Sequence, residues 1–130
     1  MNTLIYCLIA AALLPYLAKI PVAIAMNKLG GYDNNHPREQ QAKLQGFGAR
    51  ALAAHQNAFE SLIVFSAAIL LAVATNTVDE SVQLFAILHI GFRVAYHILY
   101  LVNIGVMRSV CWAVAIGSSF FIMGQCVQSL

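Results

Sequence analysis

Polar side chains cluster at the start of one otherwise apolar segment, between Arg50 and Glu60. On a helix of about 3.6 residues per turn, Arg50 and Asn57 return to within about 20° of each other. Glu60 flanks the same face one turn deeper, whereas His55 points away from it. A guanidinium, an amide and a carboxylate that share one helix face are suited to binding a charged ligand through several hydrogen bonds.

A second polar stripe follows in the next apolar segment. His89, Arg93, Tyr96 and Tyr100 are spaced at i, i+4, i+7 and i+11, which is the spacing of one helix face. Arg108 and Ser109 then begin the last apolar segment. The two stripes predict a polar site between neighbouring helices.

Two interpretations of this site differ in what balances its charges. A charged side chain at membrane depth costs about 2.5–3.5 kcal/mol on insertion scales, so a Glu60–Arg93 ion pair that joins two helices is the structural interpretation. The functional interpretation is that the remaining donors exceed what one carboxylate can use and await an anionic ligand. These donors are Arg50, Asn57, Tyr96, Tyr100 and Arg108.

The side-chain types suggest the chemistry of that ligand. Arginines bind carboxylates in bidentate fashion, a buried carboxylate binds an ammonium group, and Asn and Gln bind amides. A short zwitterionic peptide with two carboxylates, an amine and amide bonds satisfies all of these groups. Glutathione is an abundant cytosolic molecule of that description.

Composition predicts that membrane helices position these residues. Apolar residues make up 61% of the chain, charged residues 9%, and the mean hydropathy is +0.77. A span needs about 20 apolar residues. We therefore expect an all-α membrane protein with one domain over residues 1–130, a four-transmembrane-helix bundle with spans near 3–26, 50–74, 82–102 and 107–127 and a polar cytoplasmic loop over 27–49.

The charges on the connections predict the orientation. The first and third connections carry basic residues, whereas the middle one carries Asp79 and Glu80. By the positive-inside rule, both termini face away from the cytoplasm and the site lies on the cytoplasmic side. Short loops and a compact N-terminus suggest a bacterial inner membrane. Four helices enclose little space, so we expect a homo-oligomer with the site between subunits.

Other classes of site are less well supported. His89 and His97 are about two turns apart, too far for one mononuclear metal site without other helices, and Cys7, Cys111 and Cys126 lack paired spacing. No metal is expected. The few, separated basic residues argue against nucleic-acid binding.

Over essentially the whole chain, the sequence resembles the membrane-associated proteins in eicosanoid and glutathione metabolism, the MAPEG superfamily. The resemblance rests on the loop Asp33–Arg38, the segment Arg50–Glu60, Arg93-Val94-Ala95-Tyr96 with Tyr100, and Arg108-Ser109. It implies a homotrimer of four-helix subunits that binds glutathione between subunits. It also implies membrane lipids and a hydrophobic second substrate as partners.

The resemblance also implies roles for individual residues. Asn57 and Glu60 would hold the peptide backbone and amine of glutathione, Arg93 would support Glu60, and Tyr96 and Tyr100 would line the pocket. Arg108 would favour the thiolate, because a neighbouring cation lowers a thiol pKa from about 8.5, and Ser109 would donate a hydrogen bond. The set assigned to glutathione binding also includes Arg50 and His55.

One departure from the better-known enzymes resembles the bacterial branch. Ala53 stands where those enzymes place an arginine, and Arg50 is the nearest arginine. The sequence thus favours a membrane-bound glutathione transferase or peroxidase acting on hydrophobic electrophiles or lipid hydroperoxides. The alternative is a non-catalytic bundle that binds a lipid or a partner, because a fold does not fix an activity.

Overall fold

A computed structural model describes residues 1–129, and every element in that range is helical. The helices are α1 (Asn2–Asn27), α2 (Pro37–Ala42), α3 (Phe47–Ala74), α4 (Glu80–Leu101) and α5 (Gly105–Gln128). All except α2 are long and apolar enough to cross a membrane. Four long helices are therefore present where the spans were predicted, with ends that differ by at most a few residues, and they fit an integral membrane protein.

Helix α1 contains two prolines in its interior, Pro15 and Pro21. Proline lacks an N–H, so each one removes a backbone hydrogen bond from the helix. A side-chain hydrogen bond joins α1 to α3 beside the first of these prolines. The Nδ1 atom of His55, on α3, lies 2.8 Å from the carbonyl oxygen of Pro15. Because that oxygen only accepts, we assign the donating N–H to Nδ1.

The connection between α1 and α3, predicted as a polar loop, contains a short helix, α2. This helix was not predicted from the sequence. Pro37 occupies the first turn of α2, where a missing N–H costs nothing. The buried Gln40 holds the connection closed: its amide donates to the carbonyl oxygens of Gly31 (2.7 Å) and Met26 (3.2 Å), and its Oε1 accepts from the backbone N–H of Asp33 at 3.0 Å. We call this the Gln40 clamp.

The two remaining connections are short turns. Asn76 and Asn103 adopt left-handed backbone conformations, with φ of 55° and 64°, just after α3 and α4 end. Asp79 then caps α4 by accepting from the backbone N–H of Val82 at 2.9 Å. Hydrogen bonds from the Ser81 hydroxyl and from Val82 lower the pKa of the Asp79 carboxyl.

The main apolar core joins α1, α3, α4 and α5 near the α3–α4 connection. Small residues such as Ala68, Ala72 and Ala86 let the backbones approach closely there. Residues near both ends of the described range, 1–129, contact the same region. Thr3 Oγ1 donates to Gln83 Oε1 at 2.8 Å, and the hydroxyls of Thr77 and Ser129 are 2.7 Å apart.

Candidate functional site

Packing at the start of α3 fixes where its polar residues lie. At Gly48, an added Cβ would come within 2.9 Å of Leu44 Cδ2 and 3.1 Å of Ala25 Cβ. A side chain at this position would have to displace the end of Leu44 and press on Ala25, so glycine favours the close approach of α3 to the preceding connection and to α1. This contact anchors the first turns of the helix that carries Arg50, Asn57 and Glu60.

The predicted Glu60–Arg93 ion pair is wrong in its direct form, because Asn57 stands between the two side chains. Arg93 Nη1 donates to Asn57 Oδ1 at 2.9 Å, and Asn57 Nδ2 donates to Glu60 Oε2 at 2.7 Å. Arg93 Nη2 also donates to the backbone oxygen of Asn57 at 3.2 Å. Arg93 as a whole is 2% exposed, so these bonds replace the water that its guanidinium loses on burial.

Aromatic rings cover both arginines of this region. Arg93 Cζ lies 4.3 Å from the ring centroid of Tyr96, and Arg108 Cζ lies 4.1 Å from that of Tyr100. The two tyrosine rings pack edge to face, 5.5 Å apart. Cation–π attraction and this ring contact hold the stripe of α4 against the start of α5.

Two adjoining cavities open along this side of the bundle, formed by α3, α4 and α5. One has a volume of about 180 Å³ and is lined by Asn57, Tyr96, Tyr100, Arg108, Ser109 and Trp112. The other, of about 190 Å³, includes Asn57, Glu60, Ser61, Arg93 and Trp112 in its lining. Asn57 and Trp112 border both. We call them the Arg108 cavity and the Glu60 cavity.

Most of the predicted site residues therefore share one surface. The residues brought together are Asn57, Glu60, Arg93, Tyr96, Tyr100, Arg108 and Ser109. Sequence reasoning did not include Trp112 or Ser61 in the site. The spacing held a signal for both, since Trp112 lies one turn after Arg108 and Ser61 directly follows Glu60.

Two predicted residues lie elsewhere. His55 borders a larger, open cavity of about 580 Å³ between α1, α2 and α3, which also includes Lys19, Tyr32 and Arg38 in its lining. Arg50 Nη2 reaches the carbonyl oxygen of Leu101 at 3.4 Å, near the end of α4. Neither residue lines the Arg108 or Glu60 cavity of its own chain.

The hydroxyl of Ser109 is engaged within its own helix. Its Oγ donates to the backbone oxygen of Gly105 at 3.1 Å. With that proton used, the oxygen retains lone pairs at the edge of the Arg108 cavity. Donation to a bound sulfur would require the hydroxyl to rotate.

Across residues 1–129, no group of three or more His, Cys, Asp or Glu side chains is arranged to hold a metal ion. The three cysteines are buried and free. They lie on α1 and α5, outside the linings of both cavities.

Comparison with known proteins gave one informative match. The model of the MAPEG family matches residues 3–128, nearly the full chain. Members of that family generally use glutathione as a substrate and typically form trimers, and they include glutathione transferases and peroxidases. No curated protein and no solved structure matched the sequence.

Proposed function

The chain belongs to the MAPEG family, and from that premise we propose that it is a membrane-bound glutathione transferase or peroxidase. Its second substrate would be a hydrophobic electrophile or a lipid hydroperoxide. The site would be the surface formed by the Arg108 and Glu60 cavities, with Arg108 as the residue that activates the thiol.

The observation that carries this proposal is the position of Arg108. Its guanidinium lies over the Tyr100 ring and borders a cavity. Within residues 1–129, no carboxylate forms an ion pair with it. An arginine beside a cavity without a neutralising carboxylate favours an anion there, and a glutathione thiolate is such an anion.

The rest of the peptide would lie along the adjoining cavity. Glu60 would bind the ammonium group, and Asn57 would bind the peptide backbone. Arg93 acts through Asn57, which it orients by two hydrogen bonds, and so is a positioning residue. Tyr96 and Tyr100 would line the pocket.

A homotrimer would complete the site. Asn57 and Glu60 face the cavities of α3–α5, whereas His55 and Arg50 face other parts of the subunit. The cavity at His55 contains Lys19 and Arg38, so it is rich in basic groups that suit carboxylates. If this surface of one subunit met the Arg108 cavity of the next, glutathione would contact both.

Two reactions follow from a thiolate at Arg108. In a transfer, the sulfur attacks an electrophilic carbon, a C–S bond forms, and the leaving group departs with its electron pair. In a peroxide reduction, the sulfur attacks the terminal oxygen of the hydroperoxide, so an S–O bond forms as the O–O bond breaks. The lipid alkoxide departs with the electron pair and takes up a proton from water to become the alcohol, which leaves a sulfenic acid on glutathione. A second glutathione then displaces water from the oxidised sulfur to give the disulfide, so two thiols are oxidised for each hydroperoxide reduced.

The second substrate would reach the site from the lipid. The spans expose large apolar side chains such as Val106, Met107 and Val110 around the start of α5, next to Arg108. A molecule dissolved in the bilayer meets this surface without crossing water. We place the protein in a bacterial inner membrane, with both termini non-cytoplasmic and the site on the cytoplasmic side, where glutathione is available.

Titration of the purified protein with glutathione tests the proposal. We expect a saturable rise in ultraviolet thiolate absorbance at neutral pH, weakened in Glu60→Ala and lost in Arg108→Ala. Turnover of a model electrophile and of a lipid hydroperoxide should then depend on glutathione. Silent titration together with no glutathione-dependent turnover would contradict the proposal and favour a non-catalytic bundle that binds a lipid or a partner protein.

A further inference from the structure

His89 links three helices through the two edges of its ring. Its Nδ1 lies 2.8 Å from the carbonyl oxygen of Ala115 on α5 and 3.1 Å from Ser119 Oγ. Its Nε2 lies 3.3 Å from Ser61 Oγ on α3. His89 is 1% exposed, and its ring stacks on that of Phe65 at a centroid distance of 4.0 Å. His89 is therefore held in one orientation.

These contacts determine which nitrogen carries the proton in the neutral ring. A backbone carbonyl only accepts, so the short contact with Ala115 places N–H on Nδ1. Nε2 then has a lone pair and accepts from the hydroxyl of Ser61. The opposite tautomer would bring the lone pair of Nδ1 against the carbonyl oxygen, which is repulsive. The hydroxyl of Ser61 therefore donates its one proton to Nε2 of His89.

Ser61 connects this buried network to the Glu60 cavity, because it lines that cavity while Ser119 is fully buried. With its proton directed to His89, Ser61 presents only lone pairs to a ligand. The neighbouring carboxylate of Glu60 is bound at Oε2 by Asn57. Within residues 1–129, Oε1 of Glu60 accepts no hydrogen bond. The wall of the cavity thus carries two acceptors from adjacent residues.

We infer that Ser61 and Glu60 together bind an ammonium group, with His89 as the positioning residue that makes Ser61 an acceptor. An ammonium has three N–H donors and no lone pair, so it complements a carboxylate oxygen and a hydroxyl whose proton is turned away. The inference rests on the proposed function, since it assigns the amine of glutathione to the Glu60 cavity. It adds Ser61 as a residue that distinguishes ligands with this amine from ligands without it.

The test compares two ligands on three forms of the full-length protein. The ligands are glutathione and its desamino analogue, in which hydrogen replaces the amine of the γ-glutamyl group. The protein forms are the wild type, Ser61→Ala and Ser119→Ala, each checked for an unchanged oligomer and melting temperature. Ser119→Ala is the matched control because it removes a hydroxyl from the other edge of the same ring, away from the cavity.

We expect Ser61→Ala to weaken glutathione binding about tenfold, as loss of a hydrogen bond to a charged group does. Binding of the desamino analogue should stay within about twofold, and Ser119→Ala should leave the ratio of the two affinities unchanged. The inference is overturned if Ser61→Ala weakens both ligands equally or neither, or if Ser119→Ala changes the ratio as much. In those cases glutathione binding by the wild type leaves the proposed function standing. If the wild type binds neither ligand, both proposals fail.

Discussion

Asn57 connects Arg93 to Glu60, because its side-chain oxygen accepts from the guanidinium at 2.9 Å and its amide donates to the carboxylate at 2.7 Å. One amide therefore satisfies a buried cation and orients a more exposed anion. In a direct bidentate ion pair, both carboxylate oxygens of Glu60 would bind Arg93, and neither would be left for a ligand. The bridge leaves one oxygen of the carboxylate for a ligand.

Asn57→Ala should destabilise the bundle by about 1–3 kcal/mol, because it leaves a donor of a buried guanidinium without its side-chain acceptor. Thermal unfolding in one detergent measures the effect. Glu60→Ala is the control and should cost less than about 1 kcal/mol, since the amide that it frees is partly exposed. Equal losses in the two variants would contradict the assignment of Asn57 as the partner on which Arg93 depends.

Arg108→Ala should lower glutathione-dependent turnover at neutral pH by at least about tenfold, because the thiol pKa returns toward about 8.5. The oligomer should persist, since the Arg108 side chain is partly exposed. The pH dependence of kcat from about pH 6 to about pH 9 reports the pKa of the bound glutathione thiol. Arg108→Lys keeps a point charge and should retain part of the effect. Unchanged turnover in Arg108→Ala would remove this residue from the mechanism.

Gln40→Ala should open the connection between α1 and α3, because it removes three hydrogen bonds of the Gln40 clamp. Each bond contributes about 1 kcal/mol to the free energy of opening this connection. Trypsin cleavage after Lys28 and Arg38 should therefore accelerate at least tenfold, which corresponds to a loss of about 1.4 kcal/mol. Mass spectrometry of the fragments locates the cuts. Asn34→Ala changes an exposed side chain of the same connection, away from both cleavage sites, and should cleave at the wild-type rate. The clamp has no protective role if both variants are cleaved alike.

The turn at Asp33 should loosen in acid. The backbone N–H groups of His36 and Asn35, each 2.9 Å from Asp33 Oδ1, stabilise the carboxylate, and the bond from His36 is the main cause of its lowered pKa. A depressed pKa means that the turn is stabilised above pH 3.8, the ordinary value, and loses that stability as pH falls through the folded-state pKa.

Amide hydrogen exchange at Asn35 and His36 measures this loss, after correction for the intrinsic pH dependence of exchange. In the wild type, the protection of these two amides should decrease as the pH is lowered below about 4. In Asp33→Asn, protection should be lower at neutral pH and independent of pH in this range. A wild-type profile as flat as that of Asp33→Asn would mean that the carboxylate does not stabilise the turn.

Hydropathy was sufficient to predict the four long helices, because a run of about 20 apolar residues is typical of a membrane-spanning helix and uncommon in other structures. It was not sufficient for α2, which is a short polar helix held by the Gln40 clamp. Such a helix has no apolar face of useful length. Its stability depends on contacts with Met26 and Gly31, which lie earlier in the chain.

Periodicity predicted one face of α4 and one of α3, and each holds only in part. His89 was predicted on the stripe of α4, but it faces Ser61 and Ala115 and lines neither cavity. Arg93, Tyr96 and Tyr100 lie on one face with Asn57 and Glu60 opposite, as the spacing predicts. Arg50 shares that face by angle, yet its long side chain turns to the carbonyl of Leu101. The angle of a Cα on a helix does not determine where a flexible side chain ends. Nor does spacing reveal that an amide will come between two charges.

Hydrogen bonds hold residues near both ends of the described range, 1–129, close to the α3–α4 connection, through Thr3 with Gln83 and Thr77 with Ser129. Consecutive copies can therefore be fused in one reading frame by a short flexible linker that remains on one side of the bilayer. For the homotrimer that we propose, a tandem fusion of three copies would fix the stoichiometry covalently. A defect such as Arg108→Ala could then be introduced into a single repeat, so that the sites are counted one at a time.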